Sequence, residues 1–353
     1  MTLQKDVETQ ESARRPRRRL SARAAASTGR GRVPARLLTL AVVAVAVLAF
    51  GFASAPSVRY AVILSVIYAI AILGNNAVLG LLGEMNLSGG VTMALGAYGF
   101  CWFSAQGMNP ALAAVTAVLL TALVSAVIAI PTTRLRGIFT ALATFALAYA
   151  IPTLAIYLKD ITGGDEGTSA PYDFAPFGLE LSGSTWDMLT TVVVIFVLLG
   201  ALSLYLFNAR PGTTALVVGE AELAGTTTGI SHRTVKVVVW TWAGTLGGIA
   251  GVLYALAVGF IGPTGFSFML GVWILVGGVI AGPRSVWGAL LGGLFVGLLP
   301  VELQSVVPPA ATGIIFGAIL LIALLAGGRG LAEWIERAAP KMTELIRRRR
   351  AAS

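Results

Sequence analysis

Apolar runs long enough to cross a hydrocarbon core recur along most of this 353-residue chain, and they constrain its fold more than any other feature. A crossing takes about 17 to 25 mostly apolar residues, set by the thickness of the bilayer core and the rise of a helix. Stretches that qualify fall roughly at 36–53, 60–82, 88–105, 111–131 and 137–158, then at 187–207, 236–258, 266–281, 286–301 and 311–326. Lipid offers no hydrogen-bond partner to a backbone N–H or C=O, so crossings made of such stretches have to be helices. The expectation is an all-α integral membrane protein with about 10 transmembrane helices. Composition agrees, since 56% of residues are apolar and only 12% are charged.

Where the few charges sit sets the orientation. The first 36 residues hold ten Lys and Arg and the last 26 hold seven, leaving little for the spans. With the N-terminus inside, Arg134, Arg136, Arg210, Arg233, Lys236, Arg284 and the Arg-rich C-terminal tail all fall on the cytoplasmic side, as the positive-inside rule requires. Outside remain Arg59 and Lys159, and the longest outer loop, Lys159 to Asp187, carries Asp160, Asp165, Glu166, Asp173, Glu180 and Asp187. Both termini are therefore expected in the cytoplasm. Five spans on either side of that loop would enter the membrane from opposite faces, the arithmetic of a 5+5 inverted-topology repeat with a pathway between its halves. The chain divides into a basic cytoplasmic tail over 1–35, read as disordered, a transmembrane domain over 36–327 with a polar cytoplasmic segment at 208–235, and a second basic tail over 328–353.

Several function classes lose support at once. The Arg clusters flank hydrophobic segments and lack interleaved aromatic residues, so they read as topology signals and contacts to anionic lipid headgroups, not as a nucleic-acid surface. The N-terminal region lacks a convincing small-residue cleavage site, and Arg36 to Phe52 reads as a retained first span. Cys101 is the only cysteine and His232 the only histidine, which leaves disulfides, thiolate metal clusters and His-based catalysis without material. No Gly-x4-Gly-Lys-Ser/Thr phosphate loop occurs either. The expected reading is a non-enzyme that binds no cofactor of its own.

The ionisable residues Arg59, Glu84, Arg284 and Glu302 stand at span margins, whereas an ion-coupled carrier keeps such groups at depth. Uncharged polar residues do occur at depth: Asn75 and Asn76, and the run Gly83-Glu-Met-Asn-Leu-Ser-Gly-Gly90. A buried amide costs several kcal/mol unless it is hydrogen-bonded, so these groups face other helices or a water-filled path. The consecutive glycines mark a helix break, tolerated at this depth only inside protein or beside a cavity. Glycines spaced by four, such as Gly244 and Gly248, Gly247 and Gly251, Gly288 and Gly292, and Gly293 and Gly297, point to close packing between helices.

The run from Gly83 to Tyr98 resembles the signature of ABC permeases for branched-chain amino acids, a family of paired, related subunits; Asn86, Gly90 and Gly96-Ala97-Tyr98 match it closely. Gly89 departs, standing where the family commonly has histidine. Leu135 to Phe139, Thr144-Phe145-Ala146, Thr162 to Gly167, Gly259 to Pro263, Phe266 to Phe268 and Trp287-Gly288 are similar to the larger subunit of the pair, and the likeness spans about residues 58–326. It implies a second permease subunit, two cytoplasmic ATPase subunits that hold ATP and Mg, and an extracytoplasmic solute-binding protein. It also implies that the polar segment seats a coupling helix in the ATPase through Gly212, Glu220, Glu222, Ala224, Gly229 and Ile230. Thr213, Leu216, Gly219 and the run Thr226-Thr-Thr228 depart from the family's more polar, helix-favouring pattern there. Candidates for the substrate path are Asn75, Asn76, Asn86, Ser88, Thr92, Gly262 and Pro263. The leading expectation is an importer subunit for branched-chain or related small amino acids. A permease for urea or amides and a stand-alone secondary transporter or channel remain alternatives.

Overall fold

The computed structural model describes residues 33–135, 137–171, 181, 185–220, 231–299 and 317–318. Helix α1 covers Val33–Ala53, α2 Pro56–Ala77, α3 Gly89–Ala105, α4 Pro110–Thr132 and α5 Ile138–Tyr157. A single turn, α6, follows at Lys159–Thr162, then α7 at Trp186–Asn208, α8 at Arg210–Glu220, α9 at His232–Val258, α10 at Phe268–Ala281 and α11 at Val286–Gly297. Local chemistry places several starts. Pro56 and Pro110 occupy first-turn positions, where a missing N–H costs nothing. Asn109, Thr185, Ser231 and Ser285 cap α4, α7, α9 and α11 through side-chain oxygens.

Helix α2 widens into a π-helical turn over Val78–Leu82 and stops at Gly83, whose φ of 68° few other residues adopt. The same kind of stop ends α9, at Gly259 with φ 75°.

A helix occupies each expected crossing except 311–326, which lies outside the described residues but for 317 and 318. Among the described residues, five helical stretches are long and apolar enough to cross a membrane: Pro56–Leu82, Pro110–Thr132, Ile138–Tyr157, Trp186–Asn208 and His232–Val258. Helices α10 and α11 are apolar but short, 14 and 12 residues, about 21 and 18 Å against a core of about 30 Å. The all-α expectation agrees with this helical bundle, which carries one short ladder besides its helices. A two-residue antiparallel ladder pairs Thr168 with Ile261 and Ser169 with Phe260, and the Ala170 N–H donates to Gly259 O at 2.9 Å. It ties the outer loop to the segment after α9, because both stretches leave helical geometry together and their backbone groups satisfy one another. The basic tails lie outside the described residues, apart from Val33 to Ala35 at the start of α1.

Helices α2 and α9 form the centre. In their most apolar windows 83% and 61% of residues are buried, against 28% in α4 and in α5 and 39% in α7, which leaves those three with broad apolar faces of the kind that lipid covers. Helix α9 packs on α2, α3 and α4, while α2 packs on α9, α10 and α11. Glycines make the contact possible where backbones touch: a Cβ on Gly96 would collide with the Gly248 carbonyl, and one on Gly251 with Met93 O. In lipid such close approach replaces the hydrophobic drive that joins helices in water.

The bundle has two chemically distinct ends. At one, the α2 and α4 C-termini meet α8, the α9 N-terminus and the α10–α11 turn, bringing together Arg134, Arg210, Arg233, Lys236 and Arg284. At the other, Asp160, Asp165 and Glu166 sit by the ladder, and Arg59 stacks on Trp186, its guanidinium carbon 3.2 Å from the ring centroid. Gly96→Val should cost about 1–3 kcal/mol through overpacking between α3 and α9. Its thermal midpoint in detergent should fall by several degrees relative to the parent chain.

Candidate functional site

The break after α2 is the starting point. From Gly83 the chain turns back into the bundle, and the Asn86 Oδ1 accepts from the Ser88 N–H at 2.8 Å and from the Ser88 hydroxyl at 2.6 Å. The Leu87 N–H donates to the Thr144 hydroxyl of α5 at 3.1 Å. These bonds satisfy the irregular backbone and set α3 starting at Gly89 inside the protein. Because Ser88 turns its hydroxyl to Asn86, no side chain caps the first turn of α3.

Beside this start lies a cleft with about 250 Å³ of empty space, lined by Ala71 and Asn75 of α2, Asn86 and Ser88, Gly89 and Thr92 of α3, Ser125 of α4, and Trp240, Ala243 and Gly244 of α9. Its interior is narrow, with room for about one water, and part of its volume opens to solvent. Asn75 is 2% exposed, and neither its amide nitrogen nor its amide oxygen has a hydrogen-bond partner. The Trp240 indole N–H is equally buried and also lacks one. Each unmade bond costs about 1–3 kcal/mol, so the cleft is primed for a polar occupant.

Four of the path candidates, Asn75, Asn86, Ser88 and Thr92, thus share one cleft. The others do not join them. Asn76 points its buried amide toward Gly278 of α10, again without a hydrogen-bond partner. Gly262 and Pro263 follow the ladder beyond the far end of α9, roughly 22 Å from Gly244 to Gly259 along the helix. Trp240, Ser125 and Gly244 carried no signal in sequence, since a Trp, a Ser or a Gly within an apolar run reads as helix packing.

Below Trp240, one turn nearer the basic end, Lys236 is fully buried. Its Nζ lies 2.5 Å from Glu84 Oε1 and donates to Thr132 O at 2.5 Å and Leu135 O at 3.2 Å. One ammonium therefore joins the chain after α2, the C-terminus of α4 and the start of α9. Sequence reading treated both charges as marginal flanks. No local sequence pattern links the two charges, which stand 152 residues apart.

Helix α8 docks on the same floor. Ala215 and Val218 are buried against Val78, Leu81 and Leu82, in a cluster that continues to Trp240 and Ala243. A Cβ on Gly219 would strike the Leu81 carbonyl, and one on Gly212 the Phe207 carbonyl. Among the coupling candidates, Gly212 is thus packed inward and Glu220 ends α8. Glu222, Ala224, Gly229 and Ile230 lie outside the described residues.

Comparison with known families decides what kind of bundle this is: residues 57–324 match the model of the "Branched-chain amino acid transport system / permease component" family. The chain belongs to this permease family. It is 29% identical over 254 residues to the high-affinity branched-chain amino acid transport system permease protein LivM of Escherichia coli (strain K12), covering 65% of this chain and 60% of that protein. The LivM protein of Salmonella typhimurium is 30% identical over 251 residues, covering 65% and 59%. The Salmonella typhimurium LivH permease is 24% identical over 282 residues, covering 75% and 90%. The chain thus spans about three fifths of the length of the LivM relatives. No solved structure matches it. With its family and its long apolar helices, the chain is a multi-pass membrane protein of this family.

In this chain, Lys236→Met or Glu84→Leu alone should destabilise by about 3–5 kcal/mol, since each strands the partner charge in the interior. The double variant should recover most of the loss. Thermal unfolding of all four proteins in detergent measures this coupling.

Proposed function

We propose that this chain is a transmembrane subunit of an ATP-binding-cassette importer that moves branched-chain or related small amino acids inward by alternating access. The observation that carries the reading is the narrow, polar, uncharged cleft in the bundle of a member of this permease family. A solute path needs polar groups without fixed charge, and a gate needs a contact that can be made and broken. The Lys236–Glu84 pair supplies the gate on the basic, cytoplasmic side, directly below Trp240. Higher identity to the LivM proteins than to LivH supports the larger-subunit type, because 254 residues make up 60% of LivM whereas 282 make up 90% of LivH.

The energy comes from outside the chain. Two cytoplasmic ATPase subunits would hold ATP and Mg, a second permease subunit would complete the pathway, and an extracytoplasmic binding protein would deliver solute to the acidic end. Helix α8 and the segment to Arg233 would seat in the ATPase. A pull on α8 is felt at Leu81 and Leu82, two residues from Glu84, which supports coupling of hydrolysis to the gate. The internal symmetry has support as well: α9 with α3 and α4 repeats the arrangement of α2 with α10 and α11, and each central helix ends on a left-handed glycine.

Proteoliposomes holding the full set of subunits should accumulate radiolabelled L-leucine only with ATP; uptake that persists without ATP or without the ATPases would reveal a secondary carrier and sink the reading. Replacing both Glu220 and Gly229 by Arg should abolish co-purification of the ATPases and reduce uptake to background. Retention of both would remove this segment from the coupling role.

A further inference from the structure

We propose that the cleft is a site for the α-amino acid zwitterion, with the solute carboxylate on the uncapped N-terminus of α3 and its ammonium on Asn75 Oδ1. The inference rests on the importer reading and names the chemistry of its site. Three independent features converge. The first-turn N–H groups of the 17-residue α3 have no intrahelical acceptor, and Ser88 spends its hydroxyl on Asn86, so the positive end of the helix dipole opens on the cleft at Gly89. Asn75 brings an unpartnered acceptor and donor into the same space, and Trp240 brings an unpartnered donor. Among the described residues no Asp, Glu, Lys or Arg lines the cleft, and the nearest described charges, Lys236 and Glu84, are already paired.

This combination selects by net charge. A solute with a lone cation or anion would bring an uncompensated charge into the bundle, which a low-dielectric interior penalises heavily. A zwitterion brings both signs and finds a complement for each: helix-end N–H groups for the carboxylate, an amide carbonyl for the ammonium. Ala71, Ala243 and Gly244 leave the remaining wall small and apolar, suited to an aliphatic side chain once the walls separate. Gly89 fits the same scheme. A side chain there would run into Ile274 of α10, so this position offers only backbone to the solute.

The cleft can be tested directly, apart from the binding protein. Cys101 is the chain's sole cysteine, and in a Cys101→Ala background an Ala243→Cys variant places one thiol in the cleft wall. In membranes holding the permease with its ATPases but no binding protein, its labelling by neutral methyl methanethiosulfonate is followed with added L-leucine, leucinamide, 4-methylpentanoate or urea. The expected result is protection by leucine and none by the other three. Asn75→Leu or Trp240→Phe should raise the leucine concentration for half-protection by about tenfold or more. Equal protection by leucinamide, 4-methylpentanoate or urea, or no protection by leucine, overturns the proposal, whatever uptake by the full transporter shows. Leucine protection together with ATP-independent uptake supports the site and overturns the importer reading instead. Should Ala243→Cys fail to fold, Ala71→Cys places the thiol on the facing wall and gives the same readout.

Discussion

Hydrocarbon tolerates no unpaired backbone, and the arrangement of this bundle follows from where the chain nevertheless breaks. The stretch Gly83 to Ser88 leaves helical geometry and turns back among the helices. Its amides and carbonyls must then be enclosed by protein that also supplies partners, which Asn86 and Thr144 do. The enclosure is built from α2, α3, α4 and α9, and their glycine faces allow the walls to close. The cleft is therefore a by-product of satisfying a broken helix, as much as a feature added to the fold.

The same constraint explains the division of labour among polar residues. Asn86 is spent on structure, since its carbonyl oxygen organises the turn into α3. Asn75, one helix away and facing the same space, is spent on nothing within the protein. Two asparagines that look alike in sequence thus carry opposite accounts, one closed and one open. Lys236 is a third case: a cation fully withdrawn from water, held by one carboxylate and two backbone carbonyls at the helix ends where partial negative charge collects.

Much of this was legible in sequence where a single local rule suffices. Apolar length located the helices, the Gly83 to Gly90 run located the break, and the expense of a buried amide marked Asn75 and Asn76 alike. What escaped depended on contacts between distant parts of the chain. The pairing of Lys236 with Glu84 cannot be read from two charges at span margins, and nothing in an apolar segment marks Trp240 as a cleft residue. Gly262 and Pro263 stand apart from the asparagines, beyond the end of α9 far from the cleft. The small ladder joining 168–169 to 260–261 has no alternating pattern to announce it, being only two residues on each side.

The π-helical turn at Val78–Leu82 carries a mechanical consequence. A π turn fits one more residue than an α turn into a similar rise, so it holds a one-residue offset between everything above it and everything below. Asn75 lies above and Glu84 below. Were the turn to tighten to α geometry, Glu84 would swing by about 100° around the helix axis relative to Asn75. The segment that touches α8 is thus a screw thread set between the cleft and its floor.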